Sequence, residues 1–251
     1  MSSLALPRVR QLTASRDGKP AGWSEDASRA DMRERDDGWS AFLAVSDGAG
    51  STAFPGEWAR VLVDAAAPRW INGDVHDGVA AVRQAFDPLD AETGDDDFLL
   101  EDLWYERGAA ATLLLAHVTH ASGRTRCRVL AVGDSVAIVS REDALTSFPI
   151  EASKDFSNRT EAVKTRAAAF ETRSWSGELP PASMLVVATD GIGRWILDEA
   201  ERNGPASAYA VLRRMSTRDL PDVEDDVTLV ILDLPPARPG LVDRLLDLLR
   251  R

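Results

Sequence analysis

The chain has 251 residues, of which 44% are hydrophobic and 28% charged, and its formal net charge is −12. This composition is that of an ordinary globular protein, and a negative field of this size opposes nucleic acids and anionic membranes, so we expect neither as a partner. The single cysteine, Cys127, excludes a disulfide framework and cysteine-rich zinc sites. No segment has the length of an apolar membrane span, and the amino terminus lacks a signal-peptide core, which predicts a cytoplasmic protein.

Short apolar and β-branched runs predict strands in chain order at residues 39–45, 110–118, 127–132, 135–140, 184–188 and 227–232. The turn-rich residues 120–123 join the second strand to the third. The third and fourth strands are predicted to form a hairpin whose tight turn holds Asp134. Cys127 lies within an alternating apolar run, which predicts a buried thiol rather than a nucleophile.

Apolar residues recur at helical spacing in residues 56–71, 75–86, 206–215 and 241–249. Strands and helices do not alternate regularly, which argues against a doubly wound parallel sheet. We therefore predict an α+β fold in which antiparallel sheets carry helices on their outer faces. The last helix is expected to cap the sheets, with contact to a partner as the alternative.

Acidic residues occur where the predicted strands end, each beside glycine or another acid. These signatures are Ser24-Glu25-Asp26, Asp47-Gly48, Gly133-Asp134, Asp190-Gly191 and Asp225-Asp226. Mg²⁺ and Mn²⁺ prefer carboxylate, carbonyl and water oxygens, and glycine lets a backbone carbonyl approach a ligand closely. Each signature alone is typical of a turn, whereas their joint occurrence favours a site for a pair of hard cations without histidine or cysteine.

The same motifs, in this order, resemble those of the metal-dependent serine/threonine protein phosphatases of type 2C. The resemblance spans about residues 15–233. It rests on Glu25-Asp26-Ala27, Val45-Ser46-Asp47-Gly48, Gly108 with Ala111-Thr112, Gly133-Asp134-Ser135, Ala188-Thr189-Asp190-Gly191-Ile192 and Asp225-Asp226-Val227-Thr228. The stretch Asp47-Gly48-Ala49-Gly50-Ser51 looks like a bacterial branch with an Asp-Gly-x-Gly-Ser motif.

The resemblance implies a four-layer αββα sandwich, in which two antiparallel β-sheets are flanked by helices and the metals lie in a channel at one edge. It also implies one phosphatase domain over residues 1–251. The core of this domain would cover about 8–234 and a C-terminal helix 240–250.

The resemblance further implies a role for each acidic residue. Asp47 would bridge two metals, Asp190 and Asp225 would hold the first, and Glu25 with the carbonyl of Gly48 would hold the second. Asp134 would join Asp190 in a weaker third site, while Asp26 and Asp226 would support the ligands from behind. The implied cofactors are two Mn²⁺ or Mg²⁺ ions, with a third ion at the weaker site.

The implied reaction is hydrolysis of phosphoserine and phosphothreonine on proteins by a hydroxide that bridges the metals, with Asp47 and Asp190 as the catalytic carboxylates. The predicted partners are phosphorylated proteins and a cognate bacterial serine/threonine kinase, and the predicted state is a monomer. One variant of this hypothesis is dephosphorylation of an anti-sigma-factor antagonist. The alternative from another class is a weak or inactive phosphatase fold that acts as a regulatory binding module.

Two departures from the family pattern concern the substrate. Ala49 stands where animal members often have a histidine proposed as the general acid, so a water would have to supply that proton. Ala21 stands where many relatives have an arginine that binds the phosphate, and the nearest cations are Arg16, Lys19 and Arg29. Arg16 is interpreted either as the substitute phosphate ligand or as an exposed basic residue. The segment 153–173, with Lys154, Arg159, Lys164 and Arg166, is interpreted either as a phosphopeptide contact or as a solvated helix.

Overall fold

The computed structural model describes residues 5–15, 24–66, 75–87, 98–157, 161–167, 169–221 and 225–237. The predictions for Arg16, for the C-terminal helix at 240–250 and for its contacts lie outside these residues. None of the helices in the described ranges is long and apolar enough to cross a membrane.

The described strands, in chain order, are β1 (Arg8–Ala14), β2 (Ala27–Arg35), β3 (Gly38–Ser46), β4 (Ala110–Ala111), β5 (Leu113–Ala121), β6 (Arg124–Val132), β7 (Val136–Ser140), β8 (Leu145–Phe148), β9 (Val163–Lys164), β10 (Arg173–Glu178), β11 (Met184–Ala188) and β12 (Val227–Asp233). The described helices are α1 (Pro55–Val61), which continues as a π-helical turn (Leu62–Ala66), α2 (Val75–Ala85), α3 (Phe98–Arg107), α4 (Asp190–Asn203) and α5 (Pro205–Arg214).

Two five-stranded antiparallel sheets contain ten of these strands. The first sheet has the order β1-β12-β11-β7-β8, and the second has the order β10-β6-β5-β3-β2. Their inner faces meet in an apolar core that includes Leu43, Val45, Leu114, Val187 and Val230. All nine residues of β3 are buried, which explains why this strand reads as a continuous apolar run rather than an alternation.

Helices cover the outer face of each sheet. On the second sheet, Trp58 and Leu62 of the α1 region and Val79 of α2 pack against Phe42, Leu113 and Leu115. On the first sheet, Ile192 and Ile196 of α4 and Leu212 of α5 pack against Val186 and Leu229. The two sheets with helices on both sides confirm the predicted αββα fold.

The predicted hairpin at Asp134 is wrong. Strand β6 pairs with β5 and β10 in the second sheet, whereas β7 pairs with β8 and β11 in the first. Gly133, with φ of 97°, turns the chain from one layer to the other. The apolar residues 129–132 of β6 and 136–138 of β7 are all buried, so a connection between two sheets and a hairpin produce the same pattern in the sequence.

Other predicted elements are confirmed with changed bounds. The strand predicted at 110–118 is interrupted at Thr112, which separates β4 from β5. The helix predicted at 56–71 is α-helical only to Val61 and π-helical to Ala66, and its remainder lies outside the described residues. The segment 153–173 is not the solvated helix considered above, since its described part contains a short 3₁₀ turn and strand β9.

Candidate metal centre

The two sheets bring the acidic signatures together at one end of the sandwich. Ala27 at the start of β2 pairs with Ser46 at the end of β3, so Asp26 and Asp47 lie beside each other. Ala188 at the end of β11 pairs with Leu229 near the start of β12, which places Asp190 near Asp225. The segment between β6 and β7 contributes Asp134 to the same acidic cluster.

Asp47 is held by the backbone and by Thr112. The Asp47 N–H donates to Thr112 Oγ1 at 3.0 Å, and the Thr112 N–H donates to the Asp47 carbonyl at 2.8 Å. Thr112 Oγ1 also lies 2.8 Å from Ser135 Oγ. Thr112, which lies between β4 and β5, therefore connects the Asp47 loop to the segment between β6 and β7 that carries Asp134.

Gly48 and Gly50 fit closely against Glu25. The Gly48 N–H donates to the Glu25 carbonyl at 3.1 Å, and a Cβ on Gly48 would lie 2.7 Å from both that oxygen and the backbone carbon of Pro55. A Cβ on Gly50 would lie 2.8 Å from Glu25 Oε2. The Glu25 carboxylate therefore lies over the loop that follows Asp47, where only glycine leaves room for it.

The carboxyl groups of Asp26 and Asp47 lie close enough for each to affect the pKa of the other. Asp26 Oδ2 also accepts a bond of 2.8 Å from the Thr189 hydroxyl, and Thr189 Oγ1 accepts a bond of 3.1 Å from the Thr228 N–H. Asp226 is buried, and its Oδ2 accepts a bond of 2.7 Å from the Glu25 N–H. Asp26 and Asp226 thus connect the first sheet to the two predicted ligands Glu25 and Asp47.

Asp190 begins helix α4, and its Oδ1 accepts a bond of 2.6 Å from the Gly191 N–H. The Asp190 carboxylate interacts electrostatically with the negative charges of Asp134 and Asp225 and with the positive charge of Arg194, which lies one helical turn further on. Burial is the largest effect and, with the two acids, raises the pKa of Asp190 to about 6, against the lowering effects of the Gly191 N–H and Arg194.

Burial also raises the pKa of the Asp26 and Asp47 carboxyl groups. For Asp47, the charges of Asp26, Asp190 and Asp225 act in the same direction. Like charges this close and this poorly solvated oppose ionisation, so the cluster favours a bound proton or a cation.

Burial divides the acids into two groups. Asp225 is exposed, and Glu25, Asp47 and Asp190 are partly accessible. Asp26, Asp134 and Asp226 have only 5–6% of their surface exposed. The accessible group therefore faces solvent while the buried group lies behind it.

Within the described ranges, no three carboxylate, imidazole or thiol groups are already arranged around a single cation position. The donor set nevertheless fits hard divalent cations, since it consists of carboxylate and backbone oxygens whose mutual repulsion a cation would relieve.

Two cations near the cluster were not predicted from the sequence. Arg194 stacks over Phe156 with its Cζ 5.5 Å from the ring centroid, and Arg60 donates to the Ser24 carbonyl at 3.2 Å. The spacing of four residues between Asp190 and Arg194 is a helical signal, but residues 190–193 read as a loop. The predicted phosphate ligand Arg16 lies outside the described residues.

Cations of the segment 153–173 serve other contacts. Arg166 donates to the Tyr105 carbonyl, and its Cζ lies 5.5 Å from the Trp104 ring centroid. Lys154 lies close enough to the exposed Glu201 to lower the pKa of that carboxyl group, after the larger effect of the Ser153 hydrogen bonds.

Comparison with known proteins assigns the class. The family model of protein phosphatase 2C matches residues 18–223, and the chain belongs to this family. This membership confirms the predicted enzyme class, a metal-dependent protein serine/threonine phosphatase. No curated protein sequence matches the chain closely enough for comparison.

Solved structures share the fold at low sequence identity. Staphylococcus aureus serine/threonine phosphatase Stp1 is 13% identical with a TM-score of 0.62, over 93% of this chain and 97% of its own. Mycobacterium tuberculosis serine/threonine phosphatase PstP/Ppp is 18% identical with a TM-score of 0.57, over 92% and 100%. RsbX in complex with magnesium is 18% identical with a TM-score of 0.52, over 93% and 98%.

Proposed function

We propose that the chain hydrolyses phosphoserine and phosphothreonine on proteins, using divalent cations held by Glu25, Asp47, the Gly48 carbonyl, Asp190 and Asp225. The observation that carries this proposal is the arrangement of accessible carboxylates in front of buried ones. A set of like charges so poorly compensated destabilises a fold, and a bound cation pair would remove that cost. A structure of PstP that contains two manganese ions is a precedent for the number of ions.

Each residue of the cluster would contribute in its own way. The charges of Asp26, Asp190 and Asp225 all act on Asp47, which supports a role for Asp47 as the ligand shared by two cations. Asp190 and Asp225 would hold one of these from the first sheet, and Glu25 with Gly48 would hold the other. When bound, divalent cations lower the pKa of water and neutralise phosphoryl oxygens. Asp134 would add a weaker third position beside Asp190.

Asp26 and Asp226 would act as positioning residues. Asp26 accepts from Thr189 and contacts Asp47, so it limits the rotation of the Asp47 carboxylate. Asp226 fixes the Glu25 backbone by accepting its N–H. Ala49 has no proton to give, so water is the expected source of the proton for the leaving alkoxide.

The substrates that we propose are phosphoproteins made by a cognate serine/threonine kinase. The three-dimensional arrangement gives no reason to divide the chain, and we propose one phosphatase domain over residues 1–251. An inactive binding module is the alternative, and activity decides between them.

The test measures hydrolysis of para-nitrophenyl phosphate and of a phosphothreonine peptide with Mn²⁺ and with EDTA. We expect turnover only with the metal, and a loss of at least about 100-fold in Asp47→Asn because the bridging ligand is neutralised. Asp143→Asn is the matched control, since Asp143 is an exposed acid paired with Arg141 on the β7–β8 turn. Activity that survives both EDTA and Asp47→Asn would overturn the proposal.

A further inference from the structure

Among the described residues, the α1 and α2 regions pack on the outer face of the second sheet at the end near the acidic cluster. The apolar positions there, Phe42, Leu113, Leu115, Leu130 and Val132, pack against these helices. Further from the cluster the same face becomes polar, although the strands continue. Alternation fixes which side chains lie on it, because each of these strands has one face in the core between the sheets.

Two cross-strand rows on this polar part run from an arginine of β2 to an arginine of β6, and the first row continues to Glu178 of β10, which lies opposite Arg126. In one row Arg33 of β2 pairs with Ser40, Ser40 with Thr119, and Thr119 with Arg126 of β6. In the next row Arg35 pairs with Gly38, Gly38 with Ala121, and Ala121 with Arg124. Arg128, two residues along β6 from Arg126, lies on the same face.

These residues form an arginine groove, whose walls are Arg33 and Arg35 on β2 and Arg124, Arg126 and Arg128 on β6. Its accessible floor is Thr119 and Ala121, and Gly38 and Ser40 are buried beside them. Three strand spacings separate the walls, or about 14 Å. This width accepts one extended polypeptide. A depression of about 500 Å³ adjoins the β6 wall, between His117, Arg126, Arg128 and Ser176.

The charges of the groove are exposed and only partly compensated. All five arginines are exposed. Arg124 reaches Glu178 at 3.5 Å, and Asp31 is bound by Arg29 at 2.6 Å. No ion pair joins Arg33, Arg35 or Arg126 to another residue of the described ranges. Asp36 and Asp37 lie in the β2–β3 turn, next to Gly38.

The pKa of His117 is affected by the positive charges of the groove. Its pKa is lowered first by burial and then by the charges of Arg128 and Arg35, which reach it from opposite walls. This concentration of positive charge contrasts with the net charge of −12 on the whole chain.

We propose that the arginine groove is a docking site for an acidic, extended segment of the protein substrates. Arginines two residues apart on a strand point the same way about 7 Å apart, which matches alternate side chains of an extended peptide. Guanidinium groups bind carboxylates and phosphates in bidentate geometry. A short acidic segment fits better than a nucleic acid, because a long polyanion would run onto the acidic remainder of the surface.

The position of the groove sets the spacing in such a substrate. Asp47 follows Ser40 by seven positions, at the end of β3, which corresponds to about 23 Å along the strand. The acidic segment would therefore lie at least about seven extended residues from the phosphorylated side chain. In assigning the segment to a substrate, this inference rests on the proposed function.

The first test measures binding without turnover. A fluorescein-labelled peptide in which five glutamates alternate with serine is titrated with the full chain in EDTA, and the glutamine analogue serves as the peptide control. We expect binding that weakens with salt and that falls at least tenfold in Arg33→Glu/Arg126→Glu. The matched variant Arg213→Glu/Arg214→Glu, exposed on α5, has the same net charge and should bind within about twofold of wild type.

Two results would overturn the docking site. The first is equal peptide binding by wild type and the groove variant. The second is tighter binding of a single-stranded oligonucleotide than of the peptide, together with loss of oligonucleotide binding in the groove variant. This result would make the groove a nucleic-acid site.

The second test uses turnover of a phosphothreonine peptide with and without a glutamate tract eight residues away. The tract should raise kcat/KM severalfold in wild type and not in the groove variant, while hydrolysis of para-nitrophenyl phosphate stays the same in both. Equal effects of the tract in both proteins would contradict substrate docking. If wild type had no phosphatase activity but bound the acidic peptide, and the groove variant lost this binding, the proposed function would be rejected and the docking site retained.

Discussion

Asp26 and Asp47 are neighbouring acids of one buried cluster, and burial raises the pKa of both carboxyl groups, so a proton on one of them relieves their repulsion. Without a cation, either that proton must be kept or two adjacent charges must be buried. Asp47, the proposed metal ligand, therefore also destabilises the metal-free protein.

Replacing Asp47 by asparagine should therefore stabilise the metal-free protein while it removes activity. An amide donates to Asp26 without an added proton, and one of the repelling charges is lost. We expect the Tm in EDTA at pH 8 to rise by about 2–4 °C, on the order of 1 kcal/mol. Thermal unfolding with and without Mn²⁺ measures this, and the stabilisation of wild type by Mn²⁺ should be much smaller in the variant. A lower Tm of Asp47→Asn in EDTA would contradict it.

Arg194 is the described cation whose charge acts on Asp190, and its exposed guanidinium stacks on Phe156. We expect Arg194→Gln to raise KM for para-nitrophenyl phosphate about threefold to tenfold with little change in kcat, because a cation beside the cluster attracts the phosphate dianion. Arg213→Gln is the control, since Arg213 makes a similar contact with Tyr209 at 5.8 Å on another helix. Equal KM values in both variants would exclude this role.

Cys127 lies between the sheets, and burial raises the pKa of its thiol to about 12. At pH 8 the thiolate fraction in the native protein would be about 10⁻⁴, far below that of an unfolded chain. Native protein should thus react with Ellman's reagent only very slowly, and one thiol should react fully in guanidinium chloride. Rapid reaction of the native protein would show that the inner face of β6 is accessible.

The loop between β3 and α1 shows how an element positions the site. A Cβ on Gly48 would meet rigid backbone, whereas a Cβ on Gly50 would meet only the end of the Glu25 side chain. We expect Gly48→Ala to lower the free energy of unfolding by about 1–3 kcal/mol. Gly50→Ala should leave the Tm nearly unchanged and raise the Mn²⁺ concentration for half-maximal activity, because it displaces Glu25.

The two glycine variants are each other's control. Denaturant unfolding in EDTA gives the stability, and Mn²⁺ titration of activity gives the metal response. If Gly50→Ala had the same metal response as wild type, Glu25 would not be a ligand. If Gly48→Ala were as stable as wild type, the loop would be looser than its contacts indicate.

At the scale of elements, the sequence predicted the interior of each sheet better than its edges. The strands β3, β11 and β12 are central, buried on both faces and continuously apolar. The strands β1, β2, β8 and β10 were missed, and all four are sheet edges. An edge strand keeps polar and charged residues on its exposed side, as in the sequence Ala27–Arg35, so its apolar signal is weak.

The site was predictable to a similar degree. Acids next to recognisable strands were expected to meet, and the sandwich brings Asp47, Asp190 and Asp225 to one end. The contact of Asp26 with Asp47 and the approach of Arg194 depend on side-chain packing between two sheets and a helix. Spacing along one sequence carries no information about such contacts, which is also why the link at Asp134 resembled a hairpin.

For the whole molecule, the net charge of −12 and the arginine groove act in opposite directions on ligands. The overall field attracts divalent cations and repels phosphorylated substrates, whereas the groove provides a local attraction for acidic segments. A polar sheet face in an acidic protein is thus a means of holding an anionic substrate that the remainder of the surface repels.

This field should make metal binding depend on ionic strength. The Debye length falls from about 30 Å at 0.01 M salt to about 8 Å at 0.15 M, so distant carboxylates stop contributing. We expect the Mn²⁺ concentration that gives half of the maximal Tm increase to rise severalfold between 20 and 300 mM KCl. The Arg213→Glu/Arg214→Glu variant, whose two reversals change the net charge from −12 to −16, should bind Mn²⁺ more tightly than wild type at 20 mM KCl and equally at 300 mM. If half-saturation were independent of salt in both proteins, the cluster alone, without the field of the molecule, would set the metal affinity.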